Sequence, residues 1–387
     1  MPVETRRPRV PARAEVVGSL LRPRALREAI EGFYAPGHRA VLAEERGRDR
    51  THLSAVEDEA IAEAVRRQVE VGLDVVSDGE FRRYMFLNSF FDAVEGFSTD
   101  RAAVEFRDAR GDTVTWYVQQ VEEQLRLIDS PASREAAYLA EIAGGHPFKV
   151  TFPAASLFAH PFTYRPGVTD RAYASLDELV AHMVDIERSL IADAVAAGAR
   201  YVQLDFPALP VPGRRAVGFE VPWGRTEPLG ELLDHAIAAD NAVIDGIPDD
   251  VTVALHVCRG NYRSKWLCEG SLEPVAERMF NELRHDVFLI EWDDVGRDGG
   301  YHTIRHVPPG RTMVMGIVST KTRELGAEDE VLRRMDEAST HLPLDQLAIS
   351  PQCGFASVME GNEIDEEVQW RKLELVGRVA SRLWDGG

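Results

Sequence analysis

The sequence predicts an α/β fold, a (β/α)8 (TIM) barrel with an insertion between its second and third strands. Eight short apolar runs rich in Val, Ile, Leu and Phe recur along the 387 residues, and amphipathic stretches separate nearly all of them. Continuous apolar strands alternating with amphipathic helices demand a parallel sheet buried on both faces. Eight such units specify a barrel. No G-x-G-x-x-G follows the first strand and no P-loop is present, which weighs against an open doubly wound sheet.

Residues 1–14 read as a disordered lead-in and 15–387 as a single barrel domain. The first strand is 15–20, broken by Gly18-Ser19 and followed by Arg22-Pro23. Helical spacing covers 26–33 and 57–71, and Gly72 stops the second of these. Strand two, 73–77, ends in Asp78-Gly79-Glu80. From about 81 to 146 the pattern loosens into the insertion. It holds an aromatic patch (Phe86, Phe90, Phe91, Phe97), an antiparallel excursion and a helix expected near 117–128. An insertion of this length either covers a site or is packed down by its own aromatic cluster. Strand three, 148–152, stops at Pro153, and the helix 176–197 stops at Gly198 before strand four, 200–205. The helix 229–244 leads to strand five, 251–255, and the helix 272–283 to strand six, 286–291. Strand seven is 311–318, the next helix 328–338, strand eight 346–350, and a helix over 364–383 closes the chain.

Polar residues mark the strand ends. His256 and Cys258 follow strand five two residues apart, so alternation directs both side chains to one side. Ser19, Asp78, Glu80, Asp205, Glu291 and Cys353 also lie at or just after C-terminal strand ends, which in a barrel converge on one face. Singly, each has a structural explanation, since Asp and Ser cap helices and a buried Cys behaves as a small hydrophobe. Together they do not. Glu291 ends an otherwise apolar strand, where a lone carboxylate is costly. Zinc resolves this with a tetrahedral shell of His256, Cys258, Glu291 and Cys353. Two thiolates and a carboxylate more than neutralise Zn2+, so such a site is a poor source of hydroxide. It can instead exchange a ligand for a substrate thiol and hold it as thiolate at neutral pH, well below the ordinary thiol pKa of about 8.5. The favoured chemistry is alkyl transfer to a thiol.

Other signals carry less. His302 and His306 are four apart without H-E-x-x-H and read as solvent-facing. Cys268 lies away from the strand ends and reads as structural, and His160 after strand three has no assigned role. The net charge of −20 argues against nucleic acid and anionic membrane surfaces as partners. No apolar run approaches the roughly 20 residues that span a bilayer. Three cysteines, with no apolar leader, fit a reducing cytoplasm, so a cytoplasmic location is expected. Assembly into a homo-oligomer is left open.

These residues sit in motifs that resemble the catalytic barrel of cobalamin-independent methionine synthase, most closely its short, single-barrel bacterial form. The matching pieces are V-G-S-L-L-R-P (17–23), D-G-E-F-R-R (78–83), Q-L-D-x-P-A-L (203–209), L-H-V-C-R-G-N (255–261), I-E (290–291), G-I-V-S-T-K-T (316–322) and P-Q-C-G (351–354). Their order spans the chain from Val16 to the last helix. The resemblance implies zinc held by His256, Cys258, Glu291 and Cys353, and Ser19, Glu80 and Asp205 around the amino-acid part of homocysteine. It implies a methyl donor as the second substrate and methionine as product. Departures bear on the donor side. Phe206 replaces the carboxylate of the usual D-E-P-A-L, Lys321 is the nearest match to a His of the strand-seven motif, and Gln352 replaces an Asp. The N-terminal half of the full-length family enzyme, which helps bind folate polyglutamate, has no counterpart. Arg82, Arg83, Phe206 and Lys321 are therefore the candidate contacts for substrate or donor.

Two other readings compete. Epoxyalkane–coenzyme M transferases resemble the same barrel and open an epoxide with a zinc-bound thiol bearing a sulfonate. That anion calls for a cationic pocket, whereas Glu80 and Asp205 suit an ammonium group. The third reading is a non-catalytic zinc-barrel protein that binds thiols without turnover.

Overall fold

The structure is a computed structural model that describes residues 12–34, 48–108, 110–158, 163–205, 229–267, 271–292 and 300–385. In chain order, β1 (Val94–Arg107) and β2 (Thr113–Leu127) pair as an antiparallel hairpin. The next six strands form one parallel sheet in sequential order: β3 (Val150–Pro153), β4 (Tyr201–Asp205), β5 (Thr252–Val257), β6 (Val287–Glu291), β7 (Thr312–Val318) and β8 (Leu347–Pro351). Every residue of β3, β4, β5, β6 and β8 is buried. That is the burial expected of a sheet covered on both faces.

Short bridges join the two edges of this sheet. Ala14 pairs with Ile349 of β8, Glu15 with Val75, and Val76 with Phe148 just before β3, all parallel. Glu15 N donates to Ile349 O at 3.2 Å, Asp74 N to Ala14 O at 2.8 Å and Val76 N to Pro147 O at 3.0 Å. The ring thus has eight staves, two of them much shorter than the strands expected at 15–20 and 73–77. Side chains take over from the ladder there. Ser77 N donates to Gln68 Oε1 at 3.0 Å and Ser77 Oγ to Gly18 O at 2.7 Å. Both segments then turn over the rim, carrying Ser19 and Glu80 with them.

The outer layer contains α2 among the helices α1 (Arg24–Phe33), α2 (Thr51–Glu70), α3 (Asn88–Phe91), α4 (Pro131–Ile142), α5 (Ala155–Phe158), α6 (Leu176–Ala196), α7 (Leu229–Ile244), α8 (Glu273–Glu282), α9 (Glu328–Ser339) and α10 (Glu366–Ala380). The longest, α6, begins at Ser175, whose side chain accepts from Glu178 N at 3.1 Å. It buries Leu179, Met183, Ile186, Leu190, Ile191 and Ala194 on one face. No helix among the described residues is long and apolar enough to cross a membrane.

The segment between strands two and three corrects one expectation. The helix predicted near 117–128 is strand β2, and the helix of this region is α4, starting at Pro131. Thr113-Val114-Thr115-Trp116-Tyr117-Val118 is β-branched and aromatic throughout. Pairing with β1 carries the strand on through Glu122–Arg126 despite their helix-forming side chains. The aromatic patch packs this region down: Phe90 lies 4.5 Å from Phe158, and Phe91 4.7 Å from Phe97, ring centre to ring centre.

Candidate active site

Strand β5 runs two residues beyond its predicted end, to Val257, and so places His256 in its last turn of pleat with Cys258 immediately outside. Cys353 follows β8 in Pro351-Gln352-Cys353-Gly354. Ligand atoms of His256, Cys258 and Cys353 all lie within 4.8 Å of one another, and the three residues are buried. His256 Nδ1 faces Asp205 Oδ1 at 3.2 Å. Its Nε2 is buried with no hydrogen-bond partner. An orphaned imidazole nitrogen beside two sulfurs is what a soft metal needs. Burial pushes the Cys353 thiol well above its ordinary pKa, and Cys258 and Glu291 add to that push. A divalent cation would reverse it, because coordination favours thiolate.

Asp205 is itself held from below. Gln203 Nε2 donates to its Oδ1 at 2.7 Å, Lys149 Nζ donates to Gln203 Oε1 at 2.7 Å, and Glu15 Oε2 accepts from the same Nζ at 2.8 Å. This buried polar chain runs inside the barrel to the imidazole. It fixes the orientation of a ring whose other nitrogen is available to a metal.

Glu80 faces the same space. It is a non-glycine residue at φ 57°, following Gly79 at φ 70°, and a left-handed residue costs about 1–2 kcal/mol. Three contacts hold it there. Asp78 Oδ1 accepts from Glu80 N at 2.8 Å, Arg22 donates to Glu80 O at 3.0 Å, and Thr151 Oγ1 donates to Glu80 Oε1 at 3.1 Å. Glu80 Oε2 has no hydrogen-bond partner. Burial pushes its carboxyl up to about 7, with Arg83 opposing and Asp205 and Asp78 adding. Burial likewise raises Asp78, to about 6, with Glu135 adding to it.

Ser19, Glu80, Asp205, His256, Cys258 and Cys353 line one cavity of about 600 Å³ counting its open mouth. Ser19 Oγ accepts from Ala356 N at 3.2 Å. The approach is so close that a Cβ on Gly354 would lie 1.9 Å from Ser19 Oγ. Gly354→Ala is therefore expected to destabilise the protein by about 1–3 kcal/mol, the usual cost of overpacking. Urea unfolding checks this, and a midpoint equal to that of the parent would contradict the close packing.

The remaining candidates stand beside this group or away from it. Glu291 is outside the three-residue group. Its Oε1 accepts from Lys321 Nζ at 2.5 Å, and its Oε2 accepts from Arg259 N at 3.0 Å and Cys353 Sγ at 3.1 Å. Arg82 pairs with Asp58 and Glu57. Arg83 forms a buried ion pair with Glu135 and donates to Thr151 Oγ1 at 2.8 Å. Neither arginine lines the cavity. Phe206, His160 and Cys268 fall outside the described residues. His302 is half-exposed and sits 3.0 Å from Glu273 Oε2.

Sequence reasoning missed part of the wall. Asn261, quoted within its motif but given no role, donates from Nδ2 to Gly354 O at 2.8 Å, while its Oδ1 is buried without a hydrogen-bond partner. Phe106, from the end of β1, packs edge-on against Tyr262 at 5.7 Å, and both line the cavity. Lys265 pairs with Asp108 Oδ2 at 3.1 Å. The hairpin thus reaches over the loop that follows β5. A lone Phe in an insertion gives no local signal of this.

The fold and the site define a barrel whose strand ends carry a soft metal-ligand group beside an acidic, partly apolar cleft. The family model described as the cobalamin-independent synthase catalytic domain matches residues 36–124 and 159–369, and the chain belongs to that family. It is thus a methyltransferase of methionine synthase-like type. It is 34% identical to the uncharacterized protein YxjG of Bacillus subtilis (strain 168), covering 98% of this chain and 96% of that one. It is 22% identical to a methionine synthase of Sulfurisphaera tokodaii, over 88% of this chain and 85% of the relative. Among solved structures it is similar to the putative vitamin-B12 independent methionine synthase of Listeria monocytogenes. That match has a TM-score of 0.69 and 27% identity, and covers 97% and 98% of the two chains. A B12-independent methionine synthase from Shewanella sp. W3-18-1, in complex with selenomethionine, shares the fold with a TM-score of 0.70 at 19% identity over 96% and 98% of the chains.

Proposed function

We propose that this protein is a zinc-dependent thiol S-methyltransferase whose acceptor is an amino-acid thiol of the homocysteine type, giving methionine. The observation that carries the reading is the His256, Cys258 and Cys353 group opening into the same cavity as the unpartnered oxygen of Glu80. Zinc bound there would lower the pKa of the acceptor thiol and so supply the nucleophile at neutral pH.

The protein's own residues do the rest. His256, Cys258 and Cys353 hold the metal, with Glu291 the adjacent fourth donor. Asp205 orients the imidazole. Glu80 receives the ammonium group, and Ser19 and Asn261 shape the floor around the amino acid. Phe86, Phe106 and Tyr262 supply the apolar wall that keeps water from the reacting sulfur. Arg82 and Arg83 are committed to carboxylates away from the cavity, which disfavours a sulfonate-bearing thiol and with it the epoxide-opening reading.

Protein purified without added metal is expected to carry near one zinc per chain and to methylate homocysteine when offered a methyl donor. Stoichiometric zinc and measurable thiol binding without turnover for methylfolate mono- or triglutamate, methylcobalamin or S-methylmethionine would instead support the binding-protein reading. A net charge of −20 disfavours a polyanionic tail. The triglutamate is therefore expected to be used no better than the monoglutamate. A KM at least about 10-fold lower for the triglutamate, an advantage of about 1.4 kcal/mol, would contradict this.

The contact between Asp205 and His256 makes a further prediction. Asp205→Asn is expected to weaken zinc binding by about 10- to 100-fold, as loss of an outer partner of a ligating imidazole does. Competition against a chromogenic chelator measures it. An unchanged affinity would show that the imidazole is oriented by packing alone.

A further inference from the structure

Glu291 closes β6 with its side chain fully buried and its Oε2 3.1 Å from Cys353 Sγ, beside but not within the compact group of His256, Cys258 and Cys353. Both carboxylate oxygens are already engaged. Lys321 Nζ lies on Oε1, and Arg259 Nε stands 3.8 Å from the same atom. The other oxygen accepts from Arg259 N and from Cys353 Sγ. Lys321 follows β7, its backbone N–H donates to Ser319 Oγ at 3.3 Å, and its side chain is 6% exposed. A buried carboxylate must have cationic or hydrogen-bonding partners. Here an ammonium supplies part of what a metal ion would otherwise supply.

Resting on the zinc reading above, we propose that Lys321 is a positioning residue that latches Glu291 and competes with the metal for its carboxylate. His256, Cys258 and Cys353 would then hold the metal, with Glu291 a weaker donor that an incoming thiol could replace more easily. Without Lys321, Glu291 loses its nearest cation, leaving Arg259 Nε 3.8 Å from the same oxygen, and the metal competes better for that oxygen. The latch therefore weakens resting metal affinity and keeps a coordination position available. A merely structural lysine would do neither.

The test is a double-mutant cycle on zinc affinity, measured by chelator competition in the intact protein. It compares the parent, Lys321→Met, Glu291→Gln and the double variant. Lys321→Met is expected to bind zinc about 10-fold more tightly than the parent, and this gain is expected to shrink below about 2-fold when Glu291 is already Gln. Lys321→Arg should restore the parent value. Lys321→Gln keeps a donor without the charge and should fall between; it serves as the second variant should Lys321→Met fail to fold. An unchanged or weaker affinity in Lys321→Met overturns the latch. An equal gain in the Glu291→Gln background also overturns it, since simple removal of a positive charge near the metal would then explain the effect. Failure of the parent to bind zinc overturns the zinc reading and the latch together. Zinc in the parent with a flat cycle overturns the latch alone.

Discussion

Replacing Cys258 or Cys353 by Ser is expected to strip the barrel of zinc and to abolish methyl transfer. Each substitution removes one of two sulfurs from a group whose ligand atoms lie within 4.8 Å of one another. A serine hydroxyl is not deprotonated at neutral pH, so the site keeps one thiolate and one imidazole beside the Glu291 carboxylate, a much weaker shell for zinc. Occupancy is expected to fall from near one per chain to below about 0.1, and activity by more than the roughly 10- to 100-fold cost of losing an outer partner alone. Metal analysis after dialysis, with circular dichroism to confirm folding, checks this. Full zinc occupancy in both variants would refute the assignment of the ligands.

Glu80→Gln is expected to raise the KM for an amino-acid thiol by about 10- to 100-fold, the worth of one charge-assisted hydrogen bond. A thiol lacking the amine should be affected much less. The same residue sets a pH dependence. Burial holds the Glu80 carboxyl at about 7, so the group carries a proton below that pH and cannot pair fully with an ammonium. Acceptor binding therefore strengthens as pH rises through about 7. Stability moves the other way. The folded pKa lies above the unfolded value of 4.5, so the folded state binds the proton more tightly. That contribution is complete below pH 4.5 and is lost as pH rises to about 7. A KM profile across pH 6 to 8 that is identical in Glu80→Gln and the parent would remove Glu80 from ammonium recognition.

Much of the barrel was legible because its signals are periodic. β4, β6, β7 and β8 begin and end within a residue or two of expectation, since continuous apolar runs between amphipathic helices have few alternative folds. The shortened staves at Ala14-Glu15 and Val75-Val76 were not legible, because the side chains of Gln68 and Ser77 replace ladder bonds there. The reading of 117–128 as a helix failed where pairing with β1 overrode the propensity of Glu122, Glu123, Gln124 and Arg126. At the site, strand-end placement brought out Ser19, Glu80, Asp205, His256, Cys258 and Cys353. It missed Phe106 and Tyr262, because contact between an inserted hairpin and a rim loop leaves no local pattern. The two ends of the Lys149–Gln203–Asp205 chain lie 56 positions apart and meet only inside the barrel.

The central claim is that a substrate thiol joins the metal held by His256, Cys258 and Cys353. Zinc K-edge X-ray absorption of the purified protein, recorded before and after addition of homocysteine, tests it most directly. The account predicts sulfur scatterers at about 2.3 Å, two in the resting protein and three once the thiol is bound. A sulfur count that stays at two in the presence of saturating homocysteine would contradict it.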